Sequence, residues 1–141
     1  MAYCEKVKCL KILLVDEDTN LTDKIEKILE EKNFECVISH EIGTGLLMIL
    51  EQKFDIVVLD LNMVKPLSSD MIEFLAILRK LNEQKLILTT ELLPNKDLML
   101  EIMRNRFDAF LVKPLNIETL CEIINRKDTP SKTDVNTAFD N

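Results

Sequence analysis

Asp55-Ile56-Val57-Val58-Leu59-Asp60-Leu61-Asn62-Met63 is the stretch on which the reading of this chain turns. Four apolar residues in a row run into a single carboxylate, Asp60. A short run with no polar alternation is the pattern of a strand buried on both faces, as in a parallel sheet covered by helices. Open sheets of that kind bind ligands just beyond the carboxyl ends of their strands. Asp60 stands at such an end and is the candidate reactive residue.

Working outward, the chain alternates strand and helix. Lys11 to Val15 is an apolar run ending at Asp16-Glu17-Asp18. Thr19 or Asn20 can cap the helix that follows, with Leu21, Ile25, Ile28 and Leu29 at helical spacing and Asn33 as a left-handed stop. Phe34 to Ser39 reads as the second strand and Thr44 to Gln52 as the second helix. After the Asp60 strand, Met71, Phe74, Leu75 and Leu78 mark a third helix. Lys85 to Thr89 is the fourth strand. Pro94 suits the first turn of a fourth helix that turns Leu98, Met99 and Ile102 inward. Ala109 to Val112 is the fifth strand, and Ile117, Leu120, Cys121 and Ile124 stripe a fifth helix. Five β-α units in succession imply a parallel sheet with right-handed crossovers and helices on both faces. Residues 127–141 carry few apolar anchors and are expected to be a disordered tail or linker after a single domain over 1–126.

Composition narrows the function. The 141 residues are 47% hydrophobic and 30% charged, ordinary for a soluble domain. Lys+Arg 18 against Asp+Glu 25 gives a net charge of −7, which argues against direct contact with nucleic acid or an anionic membrane. No apolar run is long enough to span a bilayer and no signal peptide is visible, so a cytoplasmic protein is expected. Cys4, Cys9, Cys36 and Cys121 are scattered and His40 is the sole histidine, which suits reduced, mostly buried thiols rather than zinc.

The reactive groups fall at strand ends: Asp16 and Glu17 after the first, Asp60 after the third, Thr89 after the fourth, Lys113 after the fifth. All should converge on one edge of the sheet. Three carboxylates brought together repel one another and invite a hard cation. Mg²⁺ suits, since it takes oxygen ligands, keeps several waters and is shared with phosphate. Lys113 can neutralise a phosphoryl oxygen and the Thr89 hydroxyl can donate to another. A carboxylate can act as nucleophile and form an aspartyl phosphate. Phosphoryl transfer needs mostly positioning and charge neutralisation, so this small set is sufficient.

Ile-Leu-Leu-Val-Asp16-Glu17-Asp18, Val-Leu-Asp60-Leu-Asn-Met63, Leu-Ile-Leu-Thr89-Thr90 and Phe110-Leu-Val-Lys113-Pro114 resemble, in order, the four signature segments of response-regulator receiver (CheY-like) domains. The resemblance covers about residues 9–126. It implies a flavodoxin-like (βα)₅ doubly wound sheet with strand order 2-1-3-4-5. It also implies a phosphoryl group taken from a histidine kinase or phosphotransfer protein. On that resemblance Asp60 is the phosphoacceptor. Asp16, Glu17, Asp60 and the backbone carbonyl of Asn62 hold Mg²⁺, and Thr89 and Lys113 contact the phosphoryl group. Phe110 joins Thr89 as a switch residue, Asn62 and Glu91 tune phosphoryl lifetime, and the bond to Pro114 is cis. Output would pass to a downstream protein or effector domain through the fourth helix, fifth strand and fifth helix, from a monomer or phosphorylation-dependent dimer. Such a domain catalyses its own phosphorylation and dephosphorylation without turning over an external substrate.

Two loops depart from the pattern. Val64 to Asp70 is longer than usual and lacks Gly, and Asn105-Arg106-Phe107-Asp108 replaces a Gly-Ala, with Asn105 able to go left-handed. Bland alternatives stand beside each signal: Asp16 to Asp18 as an acidic turn favouring a helix dipole, and Gly43-Thr44-Gly45 as a turn into a helix rather than a phosphate loop. Two other functions compete with the favoured one. One is a degenerate receiver that only binds protein. The other is a haloacid-dehalogenase-type phosphohydrolase with Asp16 as nucleophile, which would need a further acidic pair late in the chain.

Overall fold

Alternate residues of each strand turn to opposite faces of the sheet, and the two sets enter two separate cores. Leu13, Val57, Leu59, Leu86, Leu88 and Phe110 lie in one; Ile12, Leu14, Ile56, Val58, Ile87 and Leu111 lie in the other. This is why the strands read as unbroken apolar runs: neither face meets water. The computed structural model describes residues 9–126; the expected tail over 127–141, and Cys4, lie outside the described residues.

The elements run β1 Lys11–Val15, α1 Thr19–Glu31, β2 Glu35–Ser39, α2 Ile42–Glu51, β3 Ile56–Asp60, α3 Ser69–Asn82, β4 Lys85–Thr90, α4 Lys96–Asn105, β5 Ala109–Val112 and α5 Ile117–Asn125. A short 3-10 turn, Leu61–Met63, follows β3. All neighbouring strands pair parallel, in the order β2-β1-β3-β4-β5. The order inferred from the resemblance is therefore the observed one. Helices α2, α3 and α4 cover one face through Ile49, Ile72, Leu75 and Ile102, and α1 and α5 cover the other through Ile25, Leu29, Leu120 and Ile124. Each such side chain, taken fully out of water, contributes about 1.5–3 kcal/mol.

Several local expectations change. Helix α1 is capped by Asp18, which accepts from the Leu21 N–H at 3.1 Å, not by Thr19 or Asn20. A carboxylate one residue earlier satisfies the same orphan donors and favours the positive end of the helix. Asn33 is left-handed as expected, with φ 70. Helix α2 starts two residues before Thr44, so Gly43 and Gly45 are helical. Pro94 precedes α4, whose cap is Asn95, accepting from Leu98 N–H at 2.9 Å. At the far end of α4 the left-handed residue is Arg106, with φ 55, because Asn105 completes the helix and its amide donates to the Glu101 carbonyl. Phe74 is exposed; Ile72 takes the core position in its place. Cys36 and Cys121 are buried, and Cys9 is exposed.

Parallel register aligns the strand ends that matter. Asp60 pairs with Thr89, Val15 with Leu59, and Thr90 with Val112. Residues 16, 60, 89 and 113 thereby reach one edge of the sheet.

Candidate functional site

At that edge the Lys113 ammonium reaches both Asp16 and Asp60, 2.7 Å from Asp16 Oδ2 and 3.2 Å from Asp60 Oδ2. Backbone holds the other oxygens. The Asp18 N–H donates to Asp16 Oδ1 and the Asn62 N–H donates to Asp60 Oδ1, each at 2.9 Å. Both carboxylates are therefore fixed by the turn that leaves their own strand, while Lys113 ties the turns together. Asp16 is 7% exposed and Asp60 3%, so this is a partly desolvated group of two acids and one base.

Burial raises the Asp60 pKa above the ordinary carboxylate value; the Asn62 N–H opposes this, the neighbouring Asp16 charge adds to it, and Lys113 lowers it again. Burial lowers the Lys113 pKa, but its hydrogen bonds and charges from Asp16 and Asp60 outweigh that and leave it raised. The partners of one ion pair thus move in opposite senses of charge stabilisation. The asymmetry has a simple source: one ammonium faces two carboxylates, and Asp60 is the deeper of the two.

A cleft of about 510 Å³ opens over the group, lined by Asp16, Glu17, Asp60, Glu91, Lys113 and Pro114 among others. Glu17 is exposed at its rim. The Lys113–Pro114 bond is cis, as is Lys65–Pro66 in the loop after β3. Asp18 also borders the cleft, but its side chain is spent on the α1 cap.

Other candidates sit behind the cleft. Thr89 Oγ1 is buried beside Asp60 and has no hydrogen-bond partner among the described residues. Phe110 is fully buried, on the α2–α3–α4 side of the sheet. Asn62 Oδ1 accepts from the Glu91 N–H at 2.7 Å, which ties the turn after β3 to the loop after β4.

Sequence reasoning passed over Thr90, whose hydroxyl donates to the Leu92 carbonyl at 2.6 Å and lies 3.4 Å from Asn62 Oδ1. The doubled Thr89-Thr90 was the available signal. It passed over Lys24 too, a cleft residue contributed by α1. His40 is an exposed residue 3.2 Å from the Thr22 hydroxyl, away from the cleft lining.

The donor set suits a hard cation. Among the described residues no three His, Cys, Asp or Glu side chains gather into a metal cage. Two fixed carboxylates with a third at the rim match instead the sparse protein ligation of Mg²⁺, which keeps waters and shares a substrate phosphate. The orphaned Thr89 hydroxyl is a donor without an acceptor, as a site built for an incoming oxyanion would have.

Comparison with known proteins places this geometry in context. The family model for the response regulator receiver domain matches residues 12–125. The transcriptional regulatory protein CpxR of Escherichia coli (strain K12) is 32% identical over 106 residues, covering 75% of this chain and 44% of that protein. The chain thus spans less than half the length of the curated relatives it matches. A CheY-like response regulator receiver domain protein from Methanospirillum hungatei JF-1 superposes with a TM-score of 0.70 at 26% identity, over 83% of this chain and 91% of that one. The chemotaxis response regulator CheY4 of Vibrio cholerae shares the fold, with a TM-score of 0.67 at 20% identity over 84% and 98% of the two chains.

Proposed function

This chain belongs to the response regulator receiver domain family, and from that premise we propose that Asp60 is the phosphoacceptor of a two-component relay. The observation that carries the reading is the Lys113 ammonium shared between Asp16 and Asp60 beneath an open cleft. A carboxylate nucleophile needs to be ionised, aimed at solvent and adjacent to charge that can receive the phosphoryl oxygens.

In the reaction an Asp60 oxygen attacks phosphorus in line with the leaving group. The new O–P bond forms as the donor's P–N or P–O bond breaks, and the departing nitrogen or oxygen keeps the electron pair. The Asn62 N–H holds the other Asp60 oxygen and so fixes the attack angle. Lys113 follows the charge as it moves from the carboxylate to the phosphoryl oxygens, and the Thr89 hydroxyl supplies a further donor. Asp16, Glu17, Asp60 and the Asn62 carbonyl would hold Mg²⁺, which would supply charge neutralisation for the phosphoryl group. The donor is a histidine kinase or phosphotransfer protein in a cytoplasmic relay.

The phosphorylated state alters the face of α4, β5 and α5 for a downstream protein or effector domain. Thr89 and Phe110 move in that change, and Asn62 with Glu91 sets the phosphoryl lifetime. No helix among the described residues is long and apolar enough to cross a membrane.

Incubation with acetyl phosphate or phosphoramidate and Mg²⁺ should add one labile phosphoryl group that maps to Asp60 and is absent from Asp60→Asn. Metal-independent labelling, or labelling that survives Asp60→Asn and is lost in Asp16→Asn, overturns the assignment.

A further inference from the structure

Among the described residues, the large hydrophobic side chains that remain exposed all lie on α2, α3, α4 or the loop into α4; α1 and α5 have none. Helix α3 is the unusual case. Its core side is filled by Ile72, Leu75 and Leu78, yet its solvent side is apolar again at Phe74 (40% exposed), Ile77 (51%) and Leu81 (75%). Those three positions are spaced by three and then four residues, which aligns them as a seam along the helix rather than as scattered surface residues. Isolated exposed hydrophobics call for no explanation, but a contiguous line on a helix that already has a core face does.

Charge identifies what fits the seam. Asp70 and Glu73 are exposed at its N-terminal end, and Lys80 is exposed at its C-terminal end. The neighbouring base, Arg79, is turned away by its bonds to Asp108. Neither Glu73 nor Lys80 is held in an ion pair among the described residues. The seam therefore reads acid, apolar, base from one end to the other. Laid antiparallel on a copy of itself, it sets Glu73 against Lys80 of the second copy at both ends and Ile77 against Ile77 at the centre. A parallel pairing would set like charges together.

We propose that α3 is a self-association surface, on which two copies of this chain pair through antiparallel α3 helices about a two-fold axis. A patch that must meet itself has to be self-complementary, and this one is. The 14-residue helix is roughly 21 Å long. One such seam falls short of the ~800 Å² per partner typical of a stable interface. Leu100 and Met103 on the adjacent α4, 46% and 42% exposed, widen it, giving a four-helix contact of modest affinity. The surface is centred on α3 and shares only α4 with the α4–β5–α5 face invoked for output, and pairing here does not require phosphorylation.

Sedimentation velocity of the full chain, without phosphodonor and across micromolar concentrations, should show a reversible monomer–dimer equilibrium. Ile77→Glu and the milder Ile77→Ser should each weaken it by about tenfold or more, with an unchanged far-ultraviolet circular dichroism spectrum. Glu73→Lys alone and Lys80→Glu alone should also weaken it, and the double variant should restore it, since only antiparallel self-pairing rejoins the exchanged charges. A chain that stays monomeric throughout overturns the proposal and leaves the seam to a different protein. A dimer indifferent to Ile77 and to the charge exchange overturns it in favour of another face.

Discussion

Lys113 Nζ lies 2.7 Å from Asp16 Oδ2, although 97 positions separate the two residues in the chain. The bond joins the first and last strands in sequence across a sheet whose order puts β3 and β4 between them. The same ammonium also reaches Asp60, so a single cation holds two partly desolvated acids at close quarters. In the resting protein Lys113 does for these carboxylates part of what a divalent ion would do in the proposed phosphoryl transfer.

Removing that ammonium should expose the competition. Lys113→Met leaves Asp16 and Asp60 facing each other unneutralised. Breaking a buried pair costs on the order of 3 kcal/mol, and a divalent cation is the obvious substitute. Calorimetric titration should show tighter Mg²⁺ binding than in the parent, while acetyl phosphate labelling slows and stability in EDTA drops. Unchanged or weaker Mg²⁺ affinity would mean that Lys113 does not compete with the metal.

Asp60 should make its own signature in stability against pH. Its folded pKa is raised, so the folded state binds the proton more tightly than the unfolded state does. Stability from this group is greatest below the ordinary aspartate value of about 3.9 and is lost as pH rises from there through the raised folded value. Asp60→Asn removes the buried charge and should therefore stabilise the chain at neutral pH, by on the order of 1 kcal/mol or a few degrees in Tm. The gain should vanish in acid. Lys113, also raised, acts in the same direction but in a higher window: its share persists below the ordinary lysine value and is lost only in strong alkali. Urea melts of both forms across that range check the sign, and a neutral-pH loss in Asp60→Asn would contradict it.

Thr89→Ala should separate folding from signalling. The buried hydroxyl has no partner among the described residues, so deleting it relieves a penalty of about 1–3 kcal/mol, offset by about 0.8 kcal/mol for the lost methyl group. Stability should stay within about 1 kcal/mol of the parent or rise. Beryllofluoride binding should still shift amide resonances around Asp60, but the shifts over residues 89–117 should shrink. Undiminished shifts across α4, β5 and α5 would remove Thr89 from the switch.

What the sequence disclosed and what it hid follow different physics. Buried strands announce themselves by apolar runs, so β1 and β5 were legible to the residue, and the end of each run located Asp16, Asp60 and Lys113. Helix termini were less legible, because adjacent residues compete for one role. Asp18, Thr19 and Asn20 are all competent caps, and only the path of the chain out of β1 selects Asp18. Arg106 is left-handed by the same logic: α4 ends where Phe107 must enter the core, whatever residue occupies the turn. Least legible was Asp108. Its carboxylate takes the Leu86 N–H at 2.7 Å and Arg79 Nε at 2.6 Å, a junction of β4 with α3 through partners 22 and 29 residues away. Spacing cannot reveal such a pair, since nothing local requires it.

Gly45 shows how far the site's tolerances extend. A Cβ there would meet both methyl groups of Val15, at 2.9 and 3.0 Å, so no χ1 rotation of that β-branched side chain clears both. Alanine would add about 1 kcal/mol of intrinsic helix preference, yet overpacking costs about 1–3 kcal/mol, and the strand must give. Val15 is the residue before Asp16. A glycine in the middle of a helix thus acts as a spacer gauge for a carboxylate on the neighbouring strand, and a single methyl group at position 45 would be felt as chemistry in the cleft.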